Sequence, residues 1–215
     1  MQRHSEEHAF TLIELLVVIA IIIILAGLLF PAFQGVQQQA RRTQAKNDLT
    51  QIVTAVNAFY TEYGKYPLPS TATTDTTFGP GGNPTTNETL FNSLRGGSLD
   101  TTLNPRQIVF ISPPDVKNQS QPKSGIATLT VTVNGISIPI GSFVDPWGTP
   151  YIIEIDGNYD NQITTNPYPD TDGSAGATPL HLGVIGWSYG ADQTKGTKSP
   201  ASPNYKNSDD VISWQ

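Results

Sequence analysis

The sequence predicts an α+β fold: one long amino-terminal helix, transmembrane in its first half and amphipathic in its second, packed on a small antiparallel β-sheet. Three observations predict it. Residues 15–33 hold 19 consecutive uncharged, mostly aliphatic side chains. From Val36 to Tyr63 apolar residues recur at three- and four-residue spacing. Beyond residue 125 the chain turns to short alternating segments divided by turn signals.

The helix comes first. At 1.5 Å per residue, residues 10–33 make a rod about 36 Å long, enough to cross a hydrocarbon core of about 30 Å. Its one charge is Glu14. An ionised carboxylate in hydrocarbon costs on the order of 3 kcal/mol at a helix centre and less near its end. It is therefore paired, functional, or held at the level of the headgroups. The rod continues as a stripe of Val36, Ala40, Leu49, Ile52, Val53, Val56, Phe59, Tyr60 and Tyr63. Gln37, Gln38, Arg41, Arg42, Lys46, Asp48 and Gln51 form its polar face. Pro31 removes one amide donor and bends the helix. Gly64, followed by Tyr66-Pro67, stops it.

An ordinary secretory signal would need a positive leader, a shorter apolar core and a small-x-small cleavage site. The leader here carries Arg3 against Glu6 and Glu7, and the residues after the run offer no such site. Arg41, Arg42 and Lys46 outnumber Arg3, which by the positive-inside rule favours the opposite orientation to the one assigned below.

Residues 67–87, rich in Pro, Gly and Thr, read as a loop that cannot order itself, and a short helix follows over 88–94. Strands begin near Ile126. Asn134-Gly135 is the preferred two-residue hairpin turn between 126–133 and 136–140. Asp145-Pro146-Trp147-Gly148 makes a turn into a strand over 149–155, which Asp156-Gly157-Asn158 ends. Residues 182–190 supply another strand.

Composition narrows function. A net charge of −6 with no basic stripe argues against nucleic acid as a partner. The absence of cysteine removes disulfides and thiolate metal sites. Of three histidines, His4 and His8 lie before the apolar run, so only His181 remains for a head domain and no zinc constellation forms. There is no Gly-x-Ser-x-Gly elbow, and the chain reads as a non-enzyme.

The stretch from Ala9 to Pro31, with Phe10 after a short polar leader and Glu14 four residues further on, resembles the class III signal of type IV pilins and type II secretion pseudopilins. The resemblance implies that a prepilin peptidase cuts between Ala9 and Phe10 and that the new amino terminus is N-methylated. It makes Glu14 the fifth mature residue, paired during assembly with the Phe10 amine of a neighbouring subunit, and Pro31 the helix-bending proline. Ala9 departs from the glycine usual at that place. The domains implied are a leader over 1–9, a transmembrane half-helix over 10–34 and a periplasmic or extracellular head over 35–215.

The segments 144–151, 188–192 and 209–214 resemble, in order, motifs of the major pseudopilin, the G subunit. Residues 112–142 then stand as an added hairpin and 193–206 as an enlarged loop. The resemblance implies one calcium, bound by Asp192, Asp209 and Asp210 and by Ser188. These are hard oxygen ligands of the kind calcium takes. A rival acidic group is Asp156, Asp160, Asp170 and Asp172, which lacks the glutamate of an EF-hand.

The function so implied is a structural subunit of a type II secretion pseudopilus or type IV pilus-like filament. Its partners are copies of itself or other pilins, the prepilin peptidase, and an assembly platform of the inner membrane, in which the precursor is anchored by one pass. The alternative is a membrane-tethered extracytoplasmic carbohydrate-binding module or hydrolase, for which Trp147, Trp187 and Trp214 would be the sugar platform.

Overall fold

The computed structural model describes residues 11–69, 72–80, 85–97, 102–169, 175–196, 205 and 208–214, with the side chains of 28–32 also outside the description. Helix α1 covers Leu12–Tyr63 and is helical through Pro31. The chain divides into two compact units, Met1–Ala40 and Arg41–Gln215.

In the first unit the described aliphatic side chains are exposed on every side of the helix, from Leu12 to Leu25. A helix apolar all round is not made for water. Among the described residues no helix is long and apolar enough to cross a membrane.

The second unit is the head. Its strands are β1 (Thr76–Phe78), β2 (Gly125–Ile126), β3 (Val131–Val133), β4 (Ile136–Ile138), β5 (Phe143–Val144), β6 (Ile152–Ile155), β7 (Val184–Ser188) and β8 (Val211–Ile212), with helix α2 over Asn87–Leu94. The main sheet is antiparallel in the order β1-β6-β7-β8. Period-two alternation decides what each face touches. Ile153, Ile155, Val184 and Val211 face a core shared with Ala45, Leu49, Ile52, Val56 and Phe59 of α1. Ile152, Ile185, Trp187 and Ile212 face a second core with Ile163, Tyr168 and Leu180. Each fully buried leucine or phenylalanine on α1 contributes about 1.5–3 kcal/mol. Gly186 lets the helix approach, since a Cβ there would stand 3.2 Å from Leu49 Cδ2.

The α+β expectation is met, and three local expectations change. The stripe that the head buries begins at Ala45: Val36 and Ala40 are exposed, as is Tyr60 at 41%. Residues 67–87 are not loop throughout, because Phe78 is buried and anchors β1 as an edge strand on β6. Ile126 pairs with Phe143 instead of extending the hairpin, which is β3–β4 alone around Asn134 and Gly135, both at positive φ. Helix α1 ends as expected, with Gly64 at φ +66 and its amide bonded to Tyr60 O.

Candidate functional site

At its amino end α1 closes on itself. The Thr11 amide donates to Glu14 Oε2 at 2.8 Å and the Thr11 hydroxyl to the same oxygen at 2.7 Å. The Glu14 amide donates back to Thr11 Oγ1 at 3.3 Å. This reciprocal pair is a capping box, which satisfies two orphan donors of the first turn. Its sequence signal, Thr-x-x-Glu before an apolar run, stands in residues 11–14. The reading of Glu14 by its charge alone missed Thr11. Ala9 and Phe10 lie outside the described residues, as does the Pro31 side chain.

In the head the antiparallel pairing of β7 with β8, Ser188 opposite Val211, brings two acidic segments together. One is the 3₁₀ turn Gly190–Asp192 that follows β7, and the other is Asp209-Asp210, which precedes β8. One carboxylate oxygen from each of Asp192, Asp209 and Asp210 lies within 4.8 Å of the others. Asp209 Oδ2 accepts the amides of Ala191 at 2.8 Å and Asp192 at 3.2 Å, so it caps the turn. Gly190 permits this contact: its φ is +68, and a Cβ would fall 2.4 Å from Asp209 O.

Asp210 is buried, and its Oδ2 accepts the Gly196 amide at 3.0 Å. Burial pushes its carboxyl up to about 6, opposed by the Tyr168 hydroxyl, the Gly196 amide and the Ser208 hydroxyl. Neither Asp210 Oδ1 nor the Tyr168 hydroxyl makes a hydrogen bond of ordinary geometry. A buried carboxylate that has the Tyr168 hydroxyl beside it and an Oδ1 with no well-formed hydrogen bond, grouped with two further carboxylates, offers hard oxygen donors that fit a divalent cation such as calcium. Ser188 is engaged elsewhere. Its hydroxyl donates to Asp145 Oδ2 at 2.6 Å and accepts the Gly190 amide at 3.2 Å.

A family model of the prokaryotic N-terminal methylation motif matches residues 5–30. The type IV major pilin protein PilA of Myxococcus xanthus is 42% identical over 63 residues, 29% of this chain and 29% of that one. Fimbrial protein Q of Moraxella bovis is 34% identical over 147 residues, 63% of this chain and 91% of that one. The chain belongs to the type IV pilin-like family. No solved structure matches it.

Trp147 and Trp187 are buried and Trp214 packs edge-on against Trp187, so the tryptophans are packing residues and not a sugar platform. In the rival acidic group, Asp156 accepts the amides of Tyr159 and Asn161, and Asp160 accepts that of Gln162. They close a turn. Asp170 and Asp172 lie outside the described residues. His181 is exposed.

Three residues around the carboxylates were not legible as site residues. Arg42 and Lys46, on what reads as a polar face, donate to main-chain carbonyls of the carboxy-terminal segment. Gln193 accepts Asn134 Nδ2 at 3.0 Å and donates to Trp147 O at 2.8 Å, which ties the hairpin tip to the turn bearing Asp192.

Proposed function

We propose that this chain is a structural filament subunit of a type II secretion pseudopilus or a type IV pilus-like machine. It is made as an inner-membrane precursor, cut between Ala9 and Phe10 by a prepilin peptidase and N-methylated. It is then moved by an inner-membrane platform into a filament of copies of itself or of other pilins. The observation that carries this reading is the first half of α1, whose described aliphatic side chains are exposed on all faces within the stretch that the methylation motif matches. Such a surface has two consistent environments, the bilayer before assembly and the same surface of other subunits after it. Glu14 is held by Thr11 in the single chain and is available to the Phe10 amine of a neighbour when the helices stack.

Calcium belongs to the same proposal. Asp192, Asp209 and Asp210 would hold it, and the ion would clip the carboxy-terminal segment to the turn after β7. This is useful to a head without disulfides.

The test is the amino terminus of the protein recovered from membranes of a host with an active prepilin peptidase. N-methylated Phe10 is expected by mass spectrometry. Retention of residues 1–9 would sink assembly through a free Phe10 amine.

A further inference from the structure

Asp209 and Asp210 are bracketed in sequence by carbonyls that α1 grips. Arg42 Nη2 donates to Ser208 O at 3.0 Å, immediately before the acidic pair. Lys46 Nζ donates to Ile212 O at 2.8 Å and Ser213 O at 3.3 Å, shortly after it. Arg42 and Lys46 are four residues apart, so both rise from one face of the helix. Main-chain pairing begins only after the acidic pair, with the two-residue β8 and the Ser213 amide on Gly186 O, so Asp209 and Asp210 themselves lie outside the ladder. Three carboxylates in one place would repel one another when ionised, and a bound cation would relieve that. Without a restraint the stretch bearing Asp209 and Asp210, which precedes the buried Val211 and Ile212, would spend part of its time open, and the open fraction would weaken apparent cation affinity in proportion.

We propose that Arg42 and Lys46 are positioning residues for the calcium site, a clasp that keeps Asp209 and Asp210 in their cation-receiving place. The clasp holds carbonyls on either side of the pair. By linkage, an ion bound at the carboxylates tightens the seating of the carboxy-terminal segment on α1, and that seating strengthens the ion. The inference rests on the calcium reading above.

The experiment is a calcium titration by calorimetry of the chelator-stripped full chain in detergent, with Lys46→Met, Lys46→Arg and Arg42→Met beside it. The clasp predicts that Lys46→Met and Arg42→Met each weaken calcium by about tenfold and that Lys46→Arg, which restores a donor, recovers most of the loss. It also predicts that calcium slows hydrogen exchange of the 211–213 amides less in Lys46→Met than in the unaltered chain. A purely structural contact would lower the melting temperature without calcium and leave the affinity alone. Unchanged affinity in folded Lys46→Met and Arg42→Met overturns the clasp while leaving the site. If Lys46→Met does not fold, Arg42→Met decides by the same criterion. Absence of calcium binding by the unaltered chain overturns the site and the clasp together.

Discussion

The Asp145 carboxylate and the Ser188 hydroxyl meet at 2.6 Å in the interior of the head and join the Asp-Pro-Trp-Gly turn to β7. The other carboxylate oxygen accepts three amides in succession, from Trp147, Gly148 and Thr149, at 2.7–2.9 Å. A turn aspartate that is fully buried is stable only with such a full set of donors. Asp145→Ala removes the side-chain acceptor of the Trp147, Gly148 and Thr149 amides, leaving Gly148 only its 3.3 Å bond to the Asp145 carbonyl, and is expected to destabilise the head by about 3 kcal/mol. Asp145→Asn retains an oxygen for the amides and is expected to cost about 1 kcal/mol. Chemical denaturation of the two variants beside the unaltered chain measures the difference. Equal losses would mean that the amide contacts are not what matters.

Glu154 sets a pH dependence. On β6, burial in the first place and the nearby Asp75 carboxylate in the second push it up to about 7 from 4.5, against a lowering by Lys195. The folded chain therefore holds this proton more tightly than the unfolded chain. Its stabilisation is complete below about 4.5, is lost as the pH rises towards about 7, and is absent above that. Denaturation midpoints at pH 5, 6, 7 and 8 should fall with rising pH up to about 7. Glu154→Gln should flatten that part of the curve. A Gln variant with the same slope would assign the dependence to other groups.

What was legible from the chain was local. Leu49, Ile52, Val56 and Phe59 announce a helix face because their spacing matches one turn, and Asn134-Gly135 announces a hairpin because few residues accept positive φ. Asp192, Asp209 and Asp210 were nameable through resemblance, and β7–β8 pairing brings them together. What could not be read depended on partners distant in sequence. Phe78 makes an edge strand of a Thr-rich loop only because β6 stands beside it. Arg42 and Lys46 look like solvated cations until carbonyls 166 or 167 residues away reach them. Asp145 reads as a turn former, and nothing near it in sequence reveals that Ser188 closes over it.

The capping box separates two roles of Glu14. Thr11→Val removes the hydroxyl donor to Glu14 Oε2 and the acceptor for the Glu14 amide, but keeps the carboxylate. It is expected to weaken the first turn by about 1 kcal/mol and to reduce filament yield only partly. Glu14→Ala removes the carboxylate and should abolish filaments while the head remains folded. Shearing filaments from cells and quantifying the subunit in them compares the two. Equal yields from both would reduce Glu14 to a helix cap.

A second surface test lies on the head portion of α1. Between Thr43 and Thr61 its exposed positions carry no charge: Gln44, Asn47, Thr50, Gln51, Thr54, Asn57 and Ala58 are among them. The hydroxyls of Thr50, Thr54 and Thr61 are folded back onto carbonyls one turn earlier. An uncharged face of this kind costs far less to desolvate against another subunit than one that carries a charge, and its amides can hydrogen-bond across the contact. Thr54→Glu should leave the head's denaturation midpoint within about 0.5 kcal/mol of the unaltered value and lower filament yield. Normal filaments from that variant would show that this face stays in solvent.

Calcium removal gives the most direct test of the carboxylate cluster. An ion that binds only the folded head stabilises it by about 2.7 kcal/mol at a hundredfold excess over its dissociation constant. For a domain of this size that is a rise in Tm of roughly 5–10 °C. Chelator should reverse the rise. The informative variant is Asp209→Asn, because Asp209 has two functions. Its Oδ2 caps the amides of Ala191 and Asp192, and on the calcium proposal its charge would help to hold the ion. Asparagine keeps an oxygen for the cap and loses the charge, so the calcium-free Tm should change little while the response to calcium disappears. Asp209→Ala loses both and should also lower the calcium-free value. A chelator-insensitive Tm in the unaltered chain would remove the metal and leave the Asp209 cap, with the grip of Arg42 and Lys46, as what holds the carboxy-terminal segment in place.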